Sequence, residues 1–170
     1  MDIEVWSDGS GNTFDSDGGC GWRIIIDGEV KHDGSCYLPS ATNNVAEITA
    51  GINGLDFIKQ QRDSGLIPMD AKITLVCDSQ LVLGYASGRY KCKALHLTQL
   101  YIKLRQLYKE LNCETRWVRG HSGDPNNEAC DRLAKAAREG KGLCQVGQSA
   151  IKSTSENIKD NIDLKIEKKD

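Results

Sequence analysis

The chain lacks the features that would mark a membrane protein or a scaffold built on disulfides or zinc. Its 170 residues contain no run of about 18 apolar side chains, so no transmembrane helix is expected. The opening Met1-Asp2-Ile3-Glu4 has neither a basic n-region nor an apolar h-region, and no signal peptide is expected. The seven cysteines are odd in number and form no Cys-x-x-Cys pair, which argues against a disulfide framework or a zinc ribbon. They read as small core side chains in a reducing compartment, the cytoplasm. An excess of positive charge is also missing. With 22 Lys and Arg against 24 Asp and Glu the net charge is −2, so bulk charge does not hold this protein to nucleic acid. Carboxylates that hold a divalent metal would produce the same balance.

What is present is ordinary globular material, 39% apolar and 27% charged, enough for one domain with its own core. Ile3 to Ser7 reads as a strand running into the turn Asp8-Gly9-Ser10-Gly11. A second strand, around Trp22 to Ile26, ends at the hairpin signal Asp27-Gly28, and Val30 to Leu38 returns. After Pro39, Thr42-Asn43-Asn44 offers helix caps, and Glu47 is expected in the first turn. Ile48, Ile52, Leu55 and Ile58 recur at helical spacing. Gly51 and Gly54 on a neighbouring stripe suit a helix lying close to a sheet.

Lys72 to Cys77 reads as a strand ending at Asp78-Ser79, followed by a short helix from Gln80. Leu97, Leu100, Leu104, Leu107 and Leu111 mark a long amphipathic helix. Thr115 to Arg119 is a further strand. A last helix is expected from Asn126 or Asn127 to about Arg138. The pattern implies an α/β fold, a mixed five-stranded sheet flanked by helices, in a domain spanning 1–140. Residues 141–170 read as a polar tail, in which Ile162, Leu164 and Ile166 could add a short strand.

Four acidic residues occupy informative places. Asp8 and Asp78 close strands, and ligands in open α/β sheets gather beyond the carboxyl ends of strands. Glu47 and Asp131 lie near the starts of helices that could cover that rim. Each has an ordinary reading as a turn residue, a dipole partner, a cap or half of a surface ion pair. Together they describe a cluster that would repel itself unless a divalent cation were bound. Oxygen donors select Mg²⁺, with Mn²⁺ as substitute, and two such ions about 4 Å apart suit phosphoryl displacement. His121, between Gly120 and Gly123, sits on a loop where an imidazole could relay a proton or help expel product.

Five blocks in this order resemble type 1 ribonuclease H: Asp8-Gly9-Ser10, Thr42-Asn43-Asn44-Val45-Ala46-Glu47, Asp78-Ser79-Gln80, Gly120-His121-Ser122-Gly123 and Asn127-Glu128-Ala129-Cys130-Asp131. The resemblance implies the ribonuclease H-like fold, with strand order 3-2-1-4-5, and hydrolysis of the RNA strand of RNA/DNA hybrids to 5′-phosphate and 3′-hydroxyl ends. It implies that Asp8, Glu47, Asp78 and Asp131 bind two metal ions and catalyse, and that His121 assists turnover. It also implies that Asn43 and Asn44 contact ribose hydroxyls and that Thr42 helps hold a DNA-strand phosphate. Reading the 2′-hydroxyl is how a protein distinguishes RNA from DNA.

Two departures stand out. Asn12 is shifted relative to the asparagine of the family's first loop. In place of a tryptophan-containing basic protrusion there is only Arg89-Tyr90-Lys91-Cys92-Lys93, so the chain resembles a member without a basic handle. Hybrid binding is then expected to be weak and salt-sensitive, or helped by Lys165, Lys168 and Lys169. A binding domain that has lost catalysis should have lost carboxylates, and an integrase-like DNA nuclease does not call for Asn43-Asn44. A monomer free of membranes is expected.

Overall fold

The computed structural model describes residues 1–12 and 16–140, together with the backbone of Gln145–Val146. Three antiparallel strands open the chain: β1 (Asp2–Ser10), β2 (Gly18–Ile26) and β3 (Glu29–Leu38). Asp27 and Gly28 both take positive φ, 50° and 84°, which a two-residue hairpin between right-twisted strands needs. Then follow α1 (Asn43–Asp63), β4 (Lys72–Cys77), α2 (Gln80–Ser87), α3 (Thr98–Glu110), β5 (Glu114–Trp117) and α4 (Pro125–Gly140). The sheet order is β5-β4-β1-β2-β3, the expected 3-2-1-4-5, with a two-residue β6 (Gln145–Val146) added on the free edge of β3. The strand sought around Ile162 to Ile166 lies outside the described residues. No described helix is long and apolar enough to cross a membrane.

Strand alternation sorts the two faces. Ile3, Val5, Trp22 and Ile24 point to the face covered by α1 to α3, where they meet Ile48, Leu55, Ile58 and Leu104, each almost fully buried. Burial of each large aliphatic side chain contributes about 1.5–3 kcal/mol. Trp6, Ile25 and Val76 point the other way, onto Cys130 of α4. Every member of the stripe foreseen on α1 is buried, as are Leu97, Leu104, Leu107 and Leu111 around α3.

Close approach rather than turn chemistry explains Gly54, Gly19 and Gly21. A Cβ on Gly54 would lie 2.6 Å from Val5 Cγ1, so α1 sits directly on β1 there, whereas Gly51 meets only ordinary contacts. On the opposite face, a Cβ on Gly19 would meet Ala134 O at 2.2 Å, and one on Gly21 would meet Cys130 O at 2.6 Å. The bare backbone of β2 is the floor on which α4 rests.

Several expectations need correcting. β1 does not stop at Ser7: antiparallel pairing with Gly19–Gly21 carries it through Ser10. Its parallel pairing with β4 ends at Trp6–Val76, so Asp8 still lies beyond the shared carboxyl rim. α1 starts at Asn43, which places Glu47 in the second turn rather than the first. α4 starts at Pro125 and is capped by Asp124, whose Oδ1 accepts from the backbone N–H groups of Asn126 (2.9 Å) and Asn127 (3.1 Å). Cys36 is disulfide-bonded, against the expectation of thiols throughout, while Cys20, Cys77, Cys92, Cys113 and Cys130 are free.

Candidate active site

Three of the four singled-out carboxylates come together. One oxygen from each of Asp8, Glu47 and Asp78 lies within 4.8 Å of the others. Asp8 extends from β1 past the end of its parallel neighbour, Asp78 follows the last residue of β4, and Glu47 descends from α1. The approach of α1 depends on Gly9, whose Cβ would lie 2.3 Å from Glu47 N and 2.4 Å from Ala46 C. Any side chain there would lift the helix and its carboxylate off the rim.

The electrostatics are those of a site built for cations. Burial, then the charges of Asp78 and Asp131, push Asp8 from 3.8 up to about 7; its Oδ1 accepts the Gly9 N–H at 3.0 Å, which opposes the rise. Burial, then Asp8 and Asp78, push Glu47 from 4.5 up to about 9. Glu47 shares a hydrogen bond with Asp8, and the Ser79 hydroxyl favours its ionised form. The same Ser79 caps α2, accepting the Val82 N–H at 3.2 Å. Asp78 is raised by burial, opposed by a hydrogen bond from Asn127 and by His121. Without a metal, the group reduces its repulsion by keeping protons. Its hard oxygen donors fit a divalent cation, which would replace those protons.

Asp131 stands apart from that tight trio. It lines the same open cavity of about 250 Å³ and raises both Asp8 and Asp78, yet its carboxylate is held by Lys135 at 3.0 Å, one helical turn on. His121 lines the cavity from an exposed loop, with φ at +55°, a left-handed conformation uncommon for a non-glycine residue. Among the residues expected to contact substrate, Asn43 lines the cavity. Thr42 is the N-cap of α1, its Oγ1 accepting the Val45 N–H at 3.3 Å, and Asn44 is exposed beside it.

Residues given no role in the site by the sequence also shape it. Asn127, 4% exposed, donates to Asp78, and its own Oδ1 is buried with no partner among the described residues. The Trp117 indole N–H donates to the Asp78 carbonyl at 3.0 Å. A Cβ on Gly120 would lie 2.8 Å from Asp78 Oδ2, so the loop carrying His121 passes directly over that carboxylate. Asn127 opens the fifth sequence block, six residues after His121, which was the available signal. Arg138 of α4 also reaches the cavity. Nothing in the local sequence places it there.

The arrangement can hold a divalent cation against a phosphodiester, with an imidazole on a loop nearby. Comparison with known proteins agrees. The family described as RNase H matches residues 1–139. Ribonuclease H of Actinobacillus pleuropneumoniae is 30% identical over 159 residues, covering 87% of this chain and 97% of the relative. Ribonuclease H of Nitratidesulfovibrio vulgaris is 32% identical over 158 residues, covering 84% and 93%. Among solved structures, LC11-RNase H1 from compost superposes with a TM-score of 0.71 at 26% identity, covering 82% of this chain and 97% of that one. The same enzyme in complex with an RNA/DNA hybrid gives 0.68 at 25% identity, covering 82% and 98%.

Proposed function

The chain belongs to the ribonuclease H family, and from that premise we propose that it is an endonuclease that hydrolyses the RNA strand of RNA/DNA hybrids, leaving 5′-phosphate and 3′-hydroxyl ends. The convergence of Asp8, Glu47 and Asp78 within 4.8 Å carries the reading. The hybrid bound by the LC11 neighbour supports the choice of substrate.

Asp8, Glu47, Asp78 and Asp131 would hold the metal, which we assign as two Mg²⁺ ions with Mn²⁺ as substitute. When bound, such ions neutralise a phosphodiester and make water a better nucleophile. The rest falls to the protein. The Gly9 N–H and the Asn127 amide hold Asp8 and Asp78 in place. Ser79 couples the start of α2 to Glu47. His121 is assigned proton transfer at the leaving side and product release, an assignment supported by its exposed loop and its electrostatic effect on Asp78. Asn43 and Asn44 are assigned ribose 2′-hydroxyls, and Thr42 a DNA-strand phosphate.

We place the catalytic unit in residues 1–140, acting as a monomer, with 141–170 as an accessory tail. The setting we assign is the cytoplasm, supported by five free thiols among the described residues, with the Cys36 disulfide as the contrary observation. Incubation with labelled hybrid, duplex DNA and duplex RNA in Mg²⁺ tests the function. Only the RNA of the hybrid should be cut, and equal cutting of all three, or none, refutes it.

A further inference from the structure

We propose that Arg138 is a substrate-binding residue, holding a backbone phosphate of the RNA strand at the end of the site formed by the first loop. This deepens the hybrid-hydrolase reading and rests on it. The placement starts with Gly19. Because β2 presents no side chain there, the last turns of α4 settle on the sheet, and a Cβ on Gly19 would come within 2.7 Å of Arg138 N. The guanidinium is thereby brought over the end of β1, where Nη1 donates to Ser10 Oγ at 3.2 Å. With the Asn12 amide turned so that its oxygen faces the arginine, Nη2 donates to Asn12 Oδ1 at 2.6 Å and the amide nitrogen donates to Gly11 O at 3.1 Å. Asn12 in turn bridges to Thr42, beside Asn43. The asparagine whose place looked shifted is thus tied to the site through Arg138.

Among the described residues the charge on this arginine is uncommitted. Arg23, Arg116 and Lys135 are each paired with a carboxylate, Asp33, Glu4 and Asp131 respectively. Arg138 meets two neutral oxygens, and no carboxylate pairs with it among the described residues. Guanidinium carries five donors in a fixed fork, and its two bonds here leave others free for an anion. It shares a cavity with Asp8, Glu47 and Asp78, where the cut strand must lie on the proposed function. In a chain of net charge −2 without a basic handle, a cation inside the cavity is well placed to bind phosphate.

The test compares wild type, Arg138→Ala and Arg138→Lys on a fluorescent hybrid in Mg²⁺ across a KCl series, with melting curves in parallel. Loss of one charge-assisted phosphate contact predicts an increase in KM of roughly tenfold, with kcat within about threefold because the carboxylates are untouched. The slope of log(kcat/KM) against log[KCl] should become shallower by about one. Arg138→Lys should restore the slope while recovering only part of KM, since an ammonium cannot reproduce the fork to Ser10 and Asn12. If Arg138 merely braces the first loop, Arg138→Ala will lower the melting temperature and kcat while KM and the salt slope stay at wild type, and the proposal is overturned. Wild type inactive on hybrid would remove the premise itself, an outcome distinguishable from failure of the arginine alone.

Discussion

Replacing Glu47 with Gln should abolish cleavage and make the metal-free protein more stable. In the folded, metal-free state Glu47 is pushed from 4.5 to about 9, first by burial and then by Asp8 and Asp78. At pH 7.5 the folded chain therefore holds a proton that the unfolded chain has released. The sign follows from linkage: where the native state binds more protons, stability falls as pH rises, here from about 4.5 to about 9. Each tenfold change in proton affinity is worth about 1.4 kcal/mol, so the three pH units from 4.5 to 7.5 cost the wild type up to about 4 kcal/mol. Glu47 retains some solvent contact and its surroundings can relax, so about half, roughly 2 kcal/mol, is the expected gain. Glutamine is neutral at every pH, and its amide can still donate to Asp8. For a chain of this size the gain corresponds to about 4–8 °C in melting temperature. Thermal melts in EDTA at pH 7.5 and pH 5 measure it, and the gap should nearly close at pH 5. With Mg²⁺ at pH 7.5 the order should reverse, because only the wild type gains full stabilisation from binding metal. A variant no more stable than wild type in EDTA, or a gap of equal size at both pH values, would refute the electrostatic account of the site.

Three further outcomes are expected. Gly9→Ala should eliminate cleavage and destabilise by about 1–3 kcal/mol, since its Cβ would sit 2.3 Å from Glu47 N; melting and hybrid cleavage measured together check this. Asn127→Ala should lower kcat by roughly tenfold or more with a smaller change in KM, because Asp78 loses its donor while substrate contacts remain; unchanged kinetics would show that this hydrogen bond does not matter. His32 is buried, stacked on Phe57 with ring centroids 4.0 Å apart, and burial lowers it from 6.5 to about 4. Its neutral form is favoured in the fold, so stability is present above pH 6.5 and is lost as pH falls towards 4. His32→Phe should flatten that acid limb in urea titrations, and an unaltered limb would contradict the assignment.

Much of the fold was legible because its signals are local. The Asp27-Gly28 turn, the aliphatic stripe of α1 and the leucine repeat of α3 depend on neighbours within one or two turns, and each appears where periodicity puts it. Boundaries were less legible. β1 runs to Ser10 because Gly19–Gly21 pair with it across the hairpin, and Asp124 rather than Asn126 or Asn127 caps α4 because Pro125 begins that helix without needing an N–H.

The sequence by itself determined the order of the elements, the oxygen chemistry of Asp8, Glu47, Asp78 and Asp131, and a family likeness strong enough to direct attention to them. Tertiary structure alone decided that the first three crowd within 4.8 Å. It also turned Asn127, Trp117 and Gly120 into supports for Asp78, and brought Arg138 across the sheet to Ser10. The physical reason is range. Periodicity and capping act within a few residues, whereas these contacts join residues 31 to 128 positions apart. Those of Glu47 and Arg138 depend on Gly9 and Gly19, which with Gly21 let two helices lie against bare backbone from opposite faces.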